Sequence, residues 1–320
     1  MQLQTSVSVT IDDVRSAAGR IAPIIHTTPV LTSRSFNAAA GVEAFFKCEN
    51  FQRGGAFKLR GAANFVYSLP PGQRAAGLVG YSSGNHAQAV AIAAAHAGVA
   101  ATLVMPSDAP RSKREATRGY GAAIVEYDRL SEDREAIGRR IAEKTGAAIA
   151  PPFDHPWIIS GQGTCALELL ERIPDLDALV APIGGGGLLA GCSVAAKALR
   201  PQIRIFGVEP EGANDTFLSF RSGERVEIPP PDTVADGLRS TKPGAITFPI
   251  LQRNIEDIVL VSEREILETM RWLLARMKIL AEPSGAVSAA AVLHGRLPKG
   301  LGRVGVILSG GNADLEILAQ

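Results

Sequence analysis

A lysine in an apolar, glycine-flanked setting is the residue of this sequence that most directly suggests chemistry. Lys58 stands between Phe57 and Leu59 within the octet at 54–61, in a chain where arginine is much the commoner basic residue. Arginine binds phosphate as well as lysine does, whereas only a lysine amine can lose its proton on desolvation and form an imine. The octet alone leaves two interpretations open: an imine-forming lysine, or a lysine at a helix start with its amine in water.

A run of four glycines at 184–187 follows one apolar stretch and opens another. Amides at a helix N-terminus bind anions, because no side chain shields them and the helix dipole adds positive potential. No Gly-Lys-Ser/Thr follows, so a P-loop is excluded. A dinucleotide site would need a third glycine where Leu189 stands, although Glu209 ends the next predicted strand, where a ribose-binding acid would lie. A small phosphate on a compact cofactor and a glycine turn without a ligand are the remaining alternatives.

Two further polar turns follow predicted strands. Residues 82–86 read Ser-Ser-Gly-Asn-His before an alanine-rich helix, and residues 309–312 read Ser-Gly-Gly-Asn after an apolar strand. Hydroxyls and amides at a helix start suit a carboxylate, although a simple serine N-cap would also explain one of the two serines.

Composition and charge exclude several other classes of protein. A net charge of +1, with no run of like charges, gives no reason to expect nucleic acid as a partner. The first ten residues lack a secretion signal, and the most apolar stretch, 87–105, is interrupted by His96 and Gly98 and predicts no membrane span. The 3 cysteines are far apart, which predicts reduced thiols and a cytoplasmic location. The 5 histidines show no metal-ligand spacing, and no G-x-S-x-G is present.

Strands and helices alternate along most of the chain, which predicts parallel sheets with right-handed crossovers. Ser131 is the expected N-cap of the helix at 132–145, and Ser262 with Glu265 forms a capping box for the helix at 263–278. Ligands of such sheets bind beyond the carboxyl ends of the strands, so the turns at 54–61, 82–86, 184–187 and 309–312 are expected to form one site. The other expected helices lie at 11–21, 59–68, 87–97, 109–118, 163–172, 188–199 and 283–294, and the expected strands at 44–47, 78–81, 101–105, 122–127, 147–150, 178–183, 203–209, 258–261 and 304–308.

An imine-forming lysine, a phosphate cradle, a carboxylate-binding turn and an isolated hydroxyl together suggest pyridoxal 5′-phosphate acting on an amino acid. The four turns, in this order and at this spacing, resemble the serine/threonine dehydratase and serine racemase family, which has the tryptophan-synthase-β-like fold (fold type II) of pyridoxal phosphate enzymes. The resemblance runs from about residue 11 to the end of the sequence. Ala56 stands where many relatives have serine, but the lysine is retained.

The resemblance implies an α/β fold of two domains, each an open, mostly parallel twisted sheet flanked by helices, with the cofactor between them. Residues 1–70 and 154–320 are expected to form a large cofactor-binding domain. Residues 71–153 are expected to form a small domain that closes on the substrate. The resemblance also implies a homodimer, and net charge and hydropathy predict no nucleic-acid or membrane partner.

The resemblance assigns the cofactor contacts residue by residue. Lys58 is expected to hold the cofactor as an imine and then to act as the base on the substrate Cα proton. Ser309 is expected to bond the pyridine nitrogen without protonating it, which makes the ring a weaker electron sink and favours β-elimination over transamination. The remaining expected contacts are Phe57 and Gly237 on the two ring faces, Asn85 at the ring hydroxyl, and Gly184, Gly185, Gly186 and Gly187 at the phosphate.

Substrate contacts are expected from Ser82, Ser83, Asn85, His86, Arg134 and Ser240. Ser83 matches the acid/base that racemases place on the face opposite the lysine. Arg134 matches a position near the substrate in racemases and hydroxyaspartate dehydratases, where it would pair with a second carboxylate. The alternative for Arg134 is an ordinary charged helix start.

The segment 209–215 resembles the divalent-cation loop of the family. Glu209 and Asp215 would supply carboxylates and Ala213 its backbone carbonyl, a set of hard oxygen ligands that suits Mg²⁺, Ca²⁺ or Mn²⁺. The alternative is a pair of surface acids near a strand end.

The resulting leading hypothesis is a pyridoxal phosphate-dependent ammonia-lyase that converts L-threonine, L-serine or a 3-hydroxyaspartate-type substrate to a 2-keto acid and ammonia. The alternatives are an amino-acid racemase with dehydratase side activity and a non-catalytic amino-acid-binding relative. A NAD-linked dehydrogenase is disfavoured by Leu189.

Overall fold

The computed structural model describes residues 8–82, 84–109, 111–128 and 130–319. Over these residues the fold is α/β, with two mostly parallel sheets flanked by helices, and the predicted fold class is confirmed. No helix in the described part of the chain is long and apolar enough to span a membrane.

The described strands form a six-stranded and a four-stranded sheet. The larger sheet has the order β1-β2-β10-β7-β8-β9 and is parallel except for the antiparallel edge strand β1, and the smaller has the order β5-β4-β3-β6 and is parallel throughout. The bounds are β1 Val30–Leu31, β2 Glu43–Cys48, β3 Leu78–Tyr81, β4 Ala101–Pro106, β5 Ala123–Tyr127, β6 Ala148–Ile149, β7 Ala178–Pro182, β8 Arg204–Pro210, β9 Asp257–Val261 and β10 Arg303–Leu308.

Helices cover both sheets, and apolar clusters fill the space beneath them. Their bounds are α1 Ile11–Ile21, α2 Arg34–Ala40, α3 Lys58–Ser68, α4 Pro71–Ala75, α5 Asn85–Ala97, α6 Arg111–Gly119, α7 Arg134–Thr145, α8 Pro156–Arg172, α9 Gly187–Leu199, α10 Asp215–Ser222, α11 Thr247–Asn254, α12 Glu263–Trp272 and α13 Pro283–Leu293. Short 3₁₀ turns occupy Glu49–Phe51, Arg53–Gly55, Asp236–Leu238 and Leu315–Ala319, and a π-helical turn follows α12 at Leu273–Met277.

The predicted start of α7 is wrong. The N-cap is Asp133, whose carboxylate accepts hydrogen bonds from the amides of Glu135 and Ala136. Ser131, the expected cap, instead donates its hydroxyl to Asp128 at 2.9 Å. Both residue types cap helices well, and the bond to Asp128 decides between them.

The predicted start of α8 is also wrong. Helix α8 begins at Pro156, seven residues before the expected start, because His155 caps it and proline is favoured at the first helical position. Gly163 lies inside this helix and permits close packing of α8 on α9. A Cβ on Gly163 would lie 2.7 Å from the carbonyl oxygen of Gly191 in α9. The predicted helix at 263–278 has the expected capping box and is helical to Met277, as α12 and then as a π-helical turn, with Lys278 as the left-handed C-cap at φ 61°.

Candidate active site

A cavity of about 620 Å³ is lined by residues from both sheets, at the carboxyl ends of β2, β3, β7 and β10. The four turns predicted to meet at one site all contribute to its wall. Ser83 lies outside the described residues, so its placement stays a prediction. The other predicted cofactor and substrate residues that line the cavity are Phe57, Lys58, Ser82, Asn85, His86, Arg134, Gly184, Gly185, Gly186, Gly187, Gly237, Ser240 and Ser309.

Lys58 is the first residue of α3, and its amine lies at the cavity wall. The amine donates a hydrogen bond of 2.9 Å to the carbonyl oxygen of Pro152 and lies 5.2 Å from the centre of the Phe57 ring. Burial lowers the pKa of Lys58 to about 8, and the negative charge of Glu282 opposes that shift. A fraction of the amine is therefore unprotonated near neutral pH, which imine formation and proton abstraction both require.

Asn85, the first residue of α5, has its amide oriented by two neighbours. Its nitrogen donates to Glu282 at 2.6 Å, and its oxygen accepts from the side-chain amide of Asn312 at 2.9 Å. No described residue accepts from the second N–H of the same amide, which leaves it for a ligand oxygen.

Ser309 follows β10 and is buried, with its hydroxyl 3.3 Å from the carbonyl oxygen of Ser284. The hydroxyl of Ser284 in turn accepts from the amide of Gly237 at 2.9 Å. Gly237, Ser284 and Ser309 therefore form one connected part of the cavity wall.

The tetraglycine connects β7 to α9, and larger residues do not fit there. A Cβ on Gly185 would lie 2.4 Å from the ring of Phe153, and one on Gly187 would lie 3.0 Å from the Cβ of the same residue. Gly186 has φ +92°, a left-handed conformation that favours glycine, and a Cβ there would lie 2.8 Å from the hydroxyl oxygen of Thr247. These contacts make glycine a requirement of the turn at positions 185, 186 and 187.

The amides of this turn fit a phosphate group. Among the described residues, none of the amides of Gly184, Gly185, Gly186 or Gly187 donates a hydrogen bond to the protein. Helix α9 begins at the turn, so its dipole adds positive potential to four unbonded donors. Together with the desolvated amine of Lys58 in the same cavity, this donor set fits pyridoxal phosphate.

The turn after β3 provides donors for a substrate carboxylate. The amides of Asn85 and His86 donate to no described residue, and the Ser82 hydroxyl accepts weakly from the amide of Gly84 at 3.3 Å. Burial lowers the pKa of His86 to about 3, with the charge of Lys58 adding to the effect. His86 is therefore neutral at physiological pH, and its Nε2 must carry a hydrogen because it lies 2.9 Å from the carbonyl oxygen of Ala150.

Arg134 stands at the rim of the cavity, at the start of α7. Its guanidinium lies 5.9 Å from the centre of the Tyr81 ring. The neighbouring acids, Asp133 and Glu135, each pair with Arg139 at 3.7 Å. A cation in the first turn of a helix opposes the helix dipole, so this position gains from an anion brought by a ligand.

The predicted metal residues lie together outside the cavity, at the end of β8. Glu209 is fully buried and accepts from the amides of Thr216 at 3.2 Å and Phe217 at 2.7 Å. Burial, and then the nearby Asp215, raise the pKa of Glu209 well above its usual range.

Both carboxylate oxygens of Asp215 are buried with no hydrogen-bond partner in the described part of the chain, and the carbonyl of the buried Ala213 lies on the same loop. Two buried carboxylates whose charge is not compensated fit a hard divalent cation. The described residues contain no cluster of three or more histidine, cysteine or acidic side chains that could hold a metal, so carbonyl and water oxygens would complete such a site.

Sequence reasoning missed the linker after β6, which contacts most parts of the site. Pro152 accepts from the Lys58 amine, and Phe153 packs on the glycine turn. Asp154 accepts from the amides of residues 245–247, and the hydroxyl of Thr247 donates to the carbonyl oxygen of Gly185 at 2.8 Å. The only sequence feature that could have pointed to this linker was an aspartate, Asp154, in a proline-rich segment after a strand. The contact made by Pro152 leaves no trace in the sequence, because it uses a backbone carbonyl.

The chain is similar to known proteins over nearly its whole length. The profile of the family described as "Pyridoxal-phosphate dependent enzyme" matches residues 21–310. The chain is 50% identical over 307 residues to an L-threo-3-hydroxyaspartate ammonia-lyase of Saccharomyces cerevisiae, covering 96% of this chain and 94% of that protein. It is 47% identical to a serine racemase of Schizosaccharomyces pombe, covering 97% and 96%. The solved structure of maize serine racemase superposes with a TM-score of 0.94 at 43% identity, covering 98% and 96% of the two chains.

Proposed function

The chain belongs to the pyridoxal-phosphate dependent enzyme family, and we propose that it is an ammonia-lyase that converts a β-hydroxy amino acid to a 2-keto acid and ammonia. The observation that carries the proposal is the Lys58 amine, desolvated in the cavity that also contains the unbonded glycine amides. The substrate class comprises L-threonine, L-serine and 3-hydroxyaspartate.

Pyridoxal phosphate, when bound, draws electrons from the carbon that bears the substrate's amino group, which makes the proton on that carbon acidic. The amides of the glycine turn would hold its phosphate, and the side chain of Ser309 would lie at its ring nitrogen. The residues proposed to hold it are Phe57, Lys58, Asn85, Gly184, Gly185, Gly186, Gly187, Gly237 and Ser309.

In the proposed reaction, Lys58 acts as the base. Its neutral amine takes the substrate's α-proton, and the resulting ammonium can return a proton to the β-hydroxyl, which leaves as water when its C–O bond breaks. Water subsequently hydrolyses the released enamine to the 2-keto acid and ammonia. The carbonyl oxygen of Pro152, 2.9 Å from the amine in this structure, holds Lys58 at the cavity wall.

The turn at the start of α5 binds the substrate's α-carboxylate in this proposal. The free amides of Asn85 and His86 and the hydroxyl of Ser82 are the donors. Because His86 is neutral, it orients the substrate and does not exchange protons near neutral pH.

Arg134 favours a substrate with a second carboxylate. Its guanidinium faces the cavity rim beside Tyr81, while the adjacent acids pair with Arg139. A guanidinium binds a carboxylate through two parallel hydrogen bonds. 3-Hydroxyaspartate is therefore the first substrate to test, with Ser240 as a further polar group on the cavity wall.

The test is a keto-acid assay over threonine, serine and 3-hydroxyaspartate with the wild type and Lys58→Ala. The wild type should show the visible absorbance of a cofactor–lysine imine and release keto acid, and Lys58→Ala should lose both. Full activity in Lys58→Ala would contradict the mechanism. Binding of all three amino acids without turnover would favour the non-catalytic alternative.

A second candidate function is racemisation, supported by the 47% identity to a serine racemase and by Ser83 in the carboxylate turn. Ser83→Ala should abolish solvent deuterium incorporation into the opposite enantiomer while sparing dehydration of the L-isomer. Equal loss of both activities would count against this division of roles.

We also propose that Glu209, Asp215 and the carbonyl of Ala213 bind Mg²⁺, Ca²⁺ or Mn²⁺, on the basis of the unpartnered Asp215 carboxylate. The location is proposed as cytoplasmic, supported by three free buried cysteines. The homodimer remains a proposal for light scattering to test. The division into domains 1–70 with 154–320, and 71–153, is likewise a proposal, supported by the confinement of the smaller sheet to residues 78–149.

A further inference from the structure

The segment that carries Lys58 has little stiffness of its own. Gly54 and Gly55 both adopt left-handed conformations, with φ of 76° and 72°. Helix α3 starts without a side-chain cap, because Phe57 occupies the N-cap position and the first turn contains no acid. The position of the Lys58 amine must therefore come from contacts with the rest of the fold.

A buried ion cluster lies on the opposite side of α3. Residues two apart on an α-helix point about 200° away from each other, so Arg60 faces the protein interior while Lys58 faces the cavity. The fully buried guanidinium makes five hydrogen bonds: two of 2.8 Å to Glu49, two of 2.7 and 2.8 Å to Glu168, and one of 3.0 Å to Thr164. A guanidinium has five N–H donors, so each one is used.

The cluster is balanced in charge. The amine of Lys47 donates to Glu168 at 2.5 Å and to the carbonyl oxygen of Thr28 at 2.9 Å, and the hydroxyl of Thr28 donates to Glu49 at 2.5 Å. Burial alone would raise the pKa of Glu49, but the adjacent Arg60 holds it below its usual value. Two cations thus face two carboxylates.

The cluster closes the loop that presents Lys58. Glu49 precedes the loop at 50–57 and Arg60 follows it, so their double hydrogen bond joins the two ends. Replacing a buried ion cluster with apolar groups is often neutral for the stability of a protein. The role of this cluster is therefore better explained by the geometry that it imposes than by a contribution to stability. Three bonds hold the loop against segment 309–312: Phe57 N to Ser309 O, Gly311 N to Gly55 O, and Asn312 Nδ2 to Gly54 O.

We propose that Arg60 is a positioning residue, which through its paired hydrogen bonds to Glu49 and Glu168 fixes the start of α3 and holds the Lys58 amine at the cavity wall. The link to catalysis rests on the proposed function, in which Lys58 is the cofactor-binding base. The positioning itself is a property of the cofactor-free protein.

The pKa of the Lys58 amine is a measure of where the amine lies. Its contacts are the carbonyl of Pro152 and the ring of Phe57, and the ionisable groups that face it are Glu282 and the neutral His86. A rotation or shift of α3 would bring water to the amine and return its pKa towards the usual 10.5.

The experiment compares wild type with Arg60→Lys, a variant that keeps the charge but has three donors in place of five. Cofactor-free protein is acylated with a limiting amine-reactive ester over neutral to alkaline pH, and mass spectrometry quantifies modification of Lys58. We expect the midpoint to move from about 8 in the wild type towards 10.5 in the variant. In the loaded enzyme we expect kcat to fall about 100-fold with KM little changed, as small displacements of a reacting group do.

The control is Arg296→Lys, which weakens the double hydrogen bond of Arg296 to Glu265 at α12, far from Lys58 in the chain. It should lower thermal stability without moving the acylation midpoint. An unchanged midpoint and kcat in Arg60→Lys would overturn the proposal. If Arg60→Lys does not fold, Glu168→Gln provides the test, because Glu168 is the more exposed carboxylate of the cluster, and an unchanged midpoint there would have the same meaning.

Failure of the proposed function would be distinguishable. Borohydride reduction of the cofactor-loaded wild type should attach the cofactor to Lys58. Attachment at another lysine would remove the catalytic role of Lys58, while the acylation midpoint would still decide whether Arg60 positions its amine.

Discussion

The backbone amide of Phe57 donates a hydrogen bond of 3.0 Å to the carbonyl oxygen of Ser309. Lys58 follows Phe57 directly, so the base and the hydroxyl proposed for the ring nitrogen are connected through main-chain atoms. A bridge between Ala56 and Gly310 lies immediately beside this bond. Because both contacts use the backbone, they hold together the two main-chain segments that carry these groups.

Lys58→Met should stabilise the cofactor-free protein at neutral pH. Burial lowers the folded-state pKa of Lys58 to about 8, so the folded state binds fewer protons than the unfolded state between about pH 8 and 10.5. Wild-type stability should therefore rise with pH across this window. The advantage of Lys58→Met, at most about 3 kcal/mol at neutral pH, should disappear by its upper end. Urea unfolding at several pH values measures the difference, and a constant advantage would contradict the assigned pKa.

Arg134→Gln should lower activity towards 3-hydroxyaspartate more than towards serine or threonine. Loss of a charge-assisted pair with a second carboxylate should lower kcat/KM for 3-hydroxyaspartate about 10- to 100-fold, and leave serine and threonine nearly unchanged. Arg139→Gln is the matched control, since Arg139 lies on the same helix but pairs with Asp133 and Glu135. Equal losses for all three substrates would show that Arg134 does not read the second carboxylate.

Gly186→Ala should weaken cofactor binding about 10- to 100-fold, because the left-handed backbone and the contact with Thr247 would both distort the phosphate turn. Gly223→Ala is the control. It has a comparable φ of +82° but no atom within 4 Å of the added Cβ, so it should cost about 1 kcal/mol of stability without changing cofactor affinity. Cofactor titration followed by absorbance measures both, and equal affinities would contradict the assigned role of the turn.

Addition of Mg²⁺ or Ca²⁺ should raise the melting temperature of the wild type, and EDTA should reverse the effect. A cation at a hundred times its Kd contributes about 2.7 kcal/mol. Asp215→Asn should remove this response, because it replaces the unpartnered buried carboxylate. Glu211→Gln, at an exposed acid of the same loop, should keep it. A response that survives Asp215→Asn would place the cation elsewhere.

The parts of the site that depend on residue type could be predicted from the sequence. Lys58, the glycine turn and Ser309 were identifiable because imine formation, close approach of backbone amides and a hydroxyl at a strand end require particular residues. Tyr81 was not, since an aromatic residue at the end of an apolar strand is equally typical of a core position. Pro152 was not, because its contribution is a carbonyl oxygen that any residue would supply.

The fold was predictable where local signals agreed and failed where they competed. The capping box of Ser262 and Glu265 fixed the start of α12 correctly. At α7, two capping residues stood close together, and the structure shows that Ser131 bonds to the nearby Asp128 instead of capping the helix. The predicted start of α8 at Gly163 came seven residues too late, and Gly163 lies inside the helix, where it permits close packing against Gly191.

The linker at 150–155 contacts the site through its main chain at 150 and 152 as well as through the side chains of Phe153 and Asp154. Ala150 and Pro152 contact His86 and Lys58 through carbonyl oxygens, which most substitutions would preserve. Deleting or inserting one residue would change which carbonyls face the cavity and displace Asp154 from residues 245–247. The linker should therefore tolerate changes of residue type at 152 and resist insertions and deletions, whereas the buried Ala150 is constrained by its packing as well.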